Sequence, residues 1–304
     1  MAVYEHTYKQ YAGPLTPEWS RFFIIPRHAY RDVFKSKLFT AFFVVCFAPL
    51  LVEAILIYLH HNVNALAIMK IDVRRLIPID AFFFETFVGV QAGFAFLVTL
   101  LVGPPLVARD LRNNALPLYL CRPFSRAEYV FGKMSVVLIL LSAITWAPGL
   151  LLFLFQSYLE GFSWFTNNLW IASAILLSSL AWILMLTLLS QTISALVKWR
   201  MAASAALLAL YLIPSVFAEV INQIFATRWG NIISLAALIK NVTAGLFGTF
   251  VQTTRNVTDF DGSFTREVIL SEPPIWCSWF ALFLICAICL ALLSRRVKAY
   301  EVIK

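Results

Sequence analysis

Between Glu160 and Lys198 the chain carries no Asp, Glu, Lys or Arg. A charge-free interval of that length has room for the roughly 20 apolar residues a helix needs to cross a bilayer. Five further stretches satisfy the same criterion, running from about 38 to 59, 82 to 107, 134 to 155, 201 to 224 and 275 to 293. Lys198-Trp199-Arg200 alone separates the fourth stretch from the fifth, which predicts a tight helical hairpin. In lipid every backbone N–H and C=O must be satisfied within the protein, so runs of this length are expected to be helices. The fold class expected is an all-α integral membrane protein with six transmembrane helices.

The composition agrees. Charged residues make up 13% of the 304, half the roughly 25% usual in soluble domains, and the mean hydropathy is +0.81. The net charge of +8 reads as a membrane-orienting bias and not as a nucleic-acid surface. With six spans both termini share a side. The connections on that side hold 17 Lys and Arg, and those on the other side hold 7. This excess predicts cytoplasmic termini and a cytoplasmic 108–133 segment. Residues 1–37 are polar, aromatic and basic, so no cleavable signal is expected there and the first span is read as an uncleaved anchor.

Three parts of the chain lie outside the spans. Residues 17–37, PEWSRFFIIPRHAYRDVFKSK, mix aromatic and basic side chains and predict an interfacial helix broken at Pro26. Residues 229–250 have apolar side chains at helical spacing, but Lys240 and two glycines make them a poor seventh span. A re-entrant or surface hairpin on the external side is expected, followed by a polar external loop over 251–274. The organisation is therefore a cytoplasmic segment over 1–37, the six-helix domain over 38–294 and a basic tail over 295–304.

The segment 108–133, ARDLRNNALPLYLCRPFSRAEYVFGK, sets a structured polar stretch between the second and third spans. Pro104-Pro105 is expected to disrupt the end of the second span. A short amphipathic piece follows, with Leu111, Ala115, Leu116, Leu118 and Leu120 apolar. Ser125 with Glu128 forms a capping-box pattern, so the next helix is expected to start near Arg126. An amphipathic element held at the ends of two spans suits docking of a soluble partner.

These residues resemble a family. The segment is similar to the cytoplasmic loop of ABC-2-type transporter permeases, the membrane subunits of ABC exporters. Asp110, Leu116, Leu120, Pro123, Ser125, Arg126, Tyr129, Gly132 and Lys133 match the family's pattern in register. Leu111, Asn114, Ala115 and Phe124 depart from it. The specific match covers about 24 residues, and the rest of the chain matches by architecture. The resemblance implies an exporter's permease subunit in a bacterial cytoplasmic (inner) membrane. It would pair with a second permease subunit, identical or different, and with ABC ATPase subunits that bind ATP and Mg. It further implies that 108–133 is the coupling loop, with Asp110, Arg112, Leu116, Arg122, Pro123, Ser125, Arg126, Tyr129, Gly132 and Lys133 as the ATPase-coupling residues. Tyr129 and Arg126 would brace the loop, and Asp110 and Arg112 would touch the ATPase.

The chain is not expected to be an enzyme or to bind a cofactor directly. A Walker A loop needs Gly-x-x-x-x-Gly-Lys-Ser/Thr. The only Gly-Lys pair is Gly132-Lys133, with Ala127 and Met134 at the other required positions. Hydrolase and metalloprotease motifs are absent. The five cysteines and the His60-His61 pair have no metal-site spacing. Glu53, Glu85 and Glu219 lie in or near spans, where a carboxylate is costly. They either line a translocation path or gate, or cap neighbouring helices and reach interfacial water. Breaks are expected at Trp146-Ala147-Pro148-Gly149 in the third span and at Pro214 in the fifth. The serines of the fourth span read as small-residue helix packing. Two other readings stay open: a structural subunit built on a permease fold, and an ion-coupled transporter using Glu53 and Glu219.

Overall fold

Apolar length dictates the framework. Six helical segments long and apolar enough to cross a membrane are found among the described residues: 37–61, 81–110, 128–160, 169–196, 200–224 and 275–295. The computed structural model describes residues 23–62, 78–113, 126–197, 199–250, 254–258, 265–269 and 271–296. Before the first span lies α1 (Ile24–Val33). The first span is α2 (Lys37–Val45) and α3 (Ala48–His61), and the second is α4 (Ala81–Arg112). The third is α5 (Arg126–Ile144) and α6 (Trp146–Glu160), joined through α7 (Phe162–Asn167) to the fourth, α8 (Leu169–Leu196). The fifth is α9 (Arg200–Ile224). A 3-10 turn at Trp229–Ile232, α10 (Leu235–Phe247) and a hairpin of β1 (Thr254–Thr258) and β2 (Thr265–Ile269) precede the sixth, α11 (Ile275–Arg296).

The fourth span is the hub. Two-thirds of its apolar window is buried inside the chain, against 11% for the first span and 17% each for the fifth and sixth. It packs on the second, third, fifth and sixth spans and on α10. The buried serines and threonines of α8 allow this. At Gly103 a Cβ would stand 2.6 Å from the Ser190 Cβ, so only a glycine lets the second and fourth spans come this close.

Several expectations need correction. Pro104-Pro105 does not end the second span, because α4 runs on to Arg112. The fifth span supplies part of what the prolines remove, and the fourth holds the helix just beyond them. The Leu100 carbonyl, which loses its partner at Pro104, accepts a hydrogen bond from the Ser204 hydroxyl at 3.1 Å. Ser194 Oγ accepts from the N–H groups of Val107 (3.1 Å) and Ala108 (2.8 Å) and donates to the Pro104 carbonyl. Of the interfacial helix expected over 17–37, residues 17–22 lie outside the described residues, and Pro26 is placed inside a helix that continues past it. The proline lies in the first turn of α1, where N–H groups have no intrahelical acceptor. Pro214 sits inside the continuous α9.

The third span does break, at Thr145 (φ −109°, ψ −92°), just before Trp146. The first span breaks at Cys46–Phe47, where the sequence reading had a continuous helix. Gln91, fully buried in the second span, donates to the Cys46 carbonyl at 3.1 Å across that break.

Residues 229–250, expected as a re-entrant or surface hairpin, form a 3-10 turn and one short helix. The 13 residues of α10 span about 20 Å, too little to cross the roughly 30 Å hydrocarbon core. Leu238 and Val242 are fully buried, so α10 is inserted among the second, fourth, fifth and sixth spans. The segment expected to be a polar loop contains the β1–β2 hairpin, paired antiparallel with Thr254 opposite Ile269.

Candidate functional site

Among the described residues, charged side chains meet the apolar interior in a cluster toward each end of the bundle. The first lies where the second span ends and the third begins. Asp110 Oδ2 is 2.8 Å from Lys133 Nζ and accepts a hydrogen bond from the Tyr129 hydroxyl at 2.8 Å. The Lys133 ammonium also stands 5.8 Å from the centre of the Tyr129 ring. This knot is dry: Tyr129 is 1% exposed, and the side chains of Lys133 and Asp110 are 10% and 14% exposed. Helical spacing explains the pairing on α5. Positions 129 and 133 lie one turn apart on one face, and both meet the end of α4.

The knot is backed by α1. At Gly132 a Cβ would come within 3.1 Å of Ile25 Cδ1, so the bare backbone there seats Ile25. The Tyr30 hydroxyl lies 3.3 Å from the Val136 carbonyl and 3.4 Å from that of Ser135, and it donates to them. Burial pushes the Tyr30 phenol up to about 12. On the exposed side, Arg109 and Asp32 approach to 3.9 Å. A hydrogen bond from Lys35, with its charge, holds Asp32 below the usual carboxylate range.

Of the ten coupling residues expected from the sequence, the structure thus brings Asp110, Tyr129 and Lys133 together and sets Gly132 against α1. Arg112 is exposed at the end of α4, and Arg126 begins α5. Leu116, Arg122, Pro123 and Ser125 lie outside the described residues. The Asp110 carboxylate is held inside the chain by Tyr129 and Lys133, whereas the sequence reading gave it to a partner's surface.

The second cluster lines a cavity of about 490 Å³ between the distal halves of the second, third, fourth and fifth spans and α10. Glu85 and Lys240 both face it, with Thr145, Ser179, Trp182 and Tyr211 among its walls. Glu85 has a defined partner. Gly248 adopts a left-handed conformation (φ +65°) that ends α10. The turn delivers Thr249, whose hydroxyl donates to Glu85 Oε2 at 2.5 Å. Glu85 therefore latches the end of α10, one of the two roles the sequence left open for it.

The other two carboxylates are not in the cavity. Glu219 is exposed on α9, with Gln223 Nε2 3.3 Å from its Oε1. Glu53 is half-buried in α3. The structure does not bring the three together. His61 Nε2 pairs with Glu160 Oε2 at 2.6 Å, joining the distal ends of the first and third spans. Among the described residues no group of three or more His, Cys, Asp or Glu could hold a metal ion.

Sequence reasoning missed the cavity. Its signals were Gly89 and Gly93, one turn apart on the second span, and a lysine on an otherwise apolar helix. Comparison with known families finds no model that matches the chain, and comparison with curated proteins finds no match.

Proposed function

We propose that this chain is the permease subunit of an ABC-2-type exporter, driven by a separate ATPase and paired with a second permease subunit. The observation that carries the reading is the buried Asp110–Tyr129–Lys133 knot. Three of the positions that match the family's loop pattern converge at the base of the loop, where a force applied to it must enter the spans. A coupling loop needs rigid roots, and a dry ion pair with a tyrosine donor supplies them. Through Gly132 and Ile25 the same roots engage α1.

In this reading the membrane is a bacterial cytoplasmic membrane with both termini inside. The excess of Lys and Arg on the terminal side supports this orientation. ATP binding by the partner clamps the loop, the knot transmits the displacement to the second and third spans, and the cavity beside Glu85 belongs to the outward route. The cytoplasmic element expected to meet the ATPase directly is residues 111–126, with Arg112 and Arg126 at its two ends.

The test is a double variant, Asp110→Ala with Arg126→Ala, reconstituted with its ATPase. The subunit should remain in the membrane and the partner should continue to hydrolyse ATP, while transport falls at least about tenfold, the equivalent of some 1.4 kcal/mol of coupling. Unchanged transport would sink the coupling assignment.

A further inference from the structure

The cavity holds two opposite charges that do not meet. Glu85 and Lys240 both line it, and among the described residues neither forms an ion pair. Glu85 accepts one hydrogen bond from Thr249 on Oε2. Lys240 is exposed on α10. Ser179 also lines the cavity. It is 1% exposed, and its hydroxyl has no hydrogen-bond partner. The orphaned Ser179 hydroxyl is costly in an apolar surround unless a ligand completes it, and Glu85 and the exposed Lys240 put a carboxylate and a cation on the same cavity for that ligand to meet.

The cavity opens sideways. Gly89 and Gly93 are exposed on the flank of the second span, and a Cβ built on either meets nothing within 4 Å. Phe82 and Val90, which also line it, are 63% and 44% exposed. An occupant can therefore enter from within the membrane. Trp182 and Tyr211 give it an apolar inner wall, and the volume lies within the roughly 300–1,000 Å³ of small-ligand sites.

We infer that this cavity binds a zwitterionic amphiphile, with its ammonium on Glu85, its phosphate on Lys240 and its apolar chain against Trp182. An anionic head would place a second negative charge beside Glu85, and a purely cationic one would leave Lys240 uncompensated. The occupant rests on the proposed function only where the cavity is taken as part of the export route. Binding at equilibrium without nucleotide is therefore a separate question from coupling to an ATPase, and either can fail alone.

The experiment uses the purified full chain in a nonionic detergent, titrated with a lysophosphatidylethanolamine whose acyl chain is brominated. Bromine quenches nearby indoles, and the part of the quench lost in Trp182→Phe reports the cavity. That part should saturate. It should weaken at least about tenfold in Lys240→Gln and in Glu85→Gln, each of which removes a charge-assisted hydrogen bond. A brominated lysophosphatidylglycerol should weaken in Lys240→Gln but not in Glu85→Gln. Because Glu85 also latches Thr249, Gly93→Leu is the independent variant. A Cβ there has neither charge within 4 Å, and a leucine on the cavity wall should abolish the saturable quench. A quench that survives Trp182→Phe or Gly93→Leu unchanged would overturn the site. An equal response of the two lipids to Glu85→Gln would overturn the zwitterion.

Discussion

Asp110 and Lys133 pair across a helix junction at 2.8 Å with little access to water. At such a site the two charges depend on each other. Losing one partner of a buried pair costs about 3–5 kcal/mol, whereas replacing both by apolar groups is often neutral. Lys133→Met alone and Asp110→Leu alone should therefore each lower the thermal unfolding midpoint more than the two combined. A calorimetric double-mutant cycle checks this, and additive losses would show that the pair is not coupled. The sequence singled out Asp110, Tyr129 and Lys133 through a resemblance in register, but it did not show that they meet one another, because a loop pattern carries no information on which of its side chains turn inward. The roles of Ser194 and Ser204 were not legible. A serine in an apolar helix reads as packing, and only the neighbouring backbone reveals which orphaned groups it serves.

Among the elements, the second span shows how a helix survives two consecutive prolines. Ser194 holds the N–H groups of Val107 and Ala108, and Ser204 holds the Leu100 carbonyl. Interhelical hydrogen bonds in membrane proteins are worth about 0.6 kcal/mol on average and up to about 1.7. Ser194→Ala, which removes several at once, should destabilise the folded chain by about 1–2 kcal/mol in a denaturant titration. Close approach at Gly103 makes a sharper demand. The clash is with Ser190 Cβ, 2.6 Å away, which no rotamer change relieves. Gly103→Ala should lower thermal stability, Ser190→Gly should recover part of the loss, and Ser190→Ala should recover none. Equal stability of Gly103→Ala and the parent would show that the two spans can part freely.

The six spans were readable because length and apolarity alone decide them. The break at Cys46–Phe47 was not, since its only local mark is Pro49 in the first turn of α3. The β1–β2 hairpin was missed although Asp261-Gly262 stands between the two strand sequences, because neither TRNVT nor TREVI alternates apolar and polar side chains.

At the scale of the molecule the spans divide into an inner and an outer set. The second, third and fourth have 50%, 56% and 67% of their apolar windows buried, and the first, fifth and sixth have 11–17%. The knot roots the loop in two of the three inner spans, and the cavity sits between all three inner spans, the fifth span and α10. Displacement of the loop would thus act on the same helices that wall the cavity. The outer set offers wide apolar faces, with Val216, Phe217 and Ile224 of the fifth span each more than 60% exposed. These are available to lipid or to the second permease subunit that the proposed function requires. In the proposed function an ATPase drives this subunit. Gentle detergent purification of the tagged chain from its native membrane, with quantitative mass spectrometry of the proteins that accompany it, reads out whether one is bound. Recovery of an ATPase bearing a Walker A loop, about one to one with this chain, is the predicted result. A stable stoichiometric complex containing no such subunit would contradict the account and identify the chain as a structural component of a different membrane assembly.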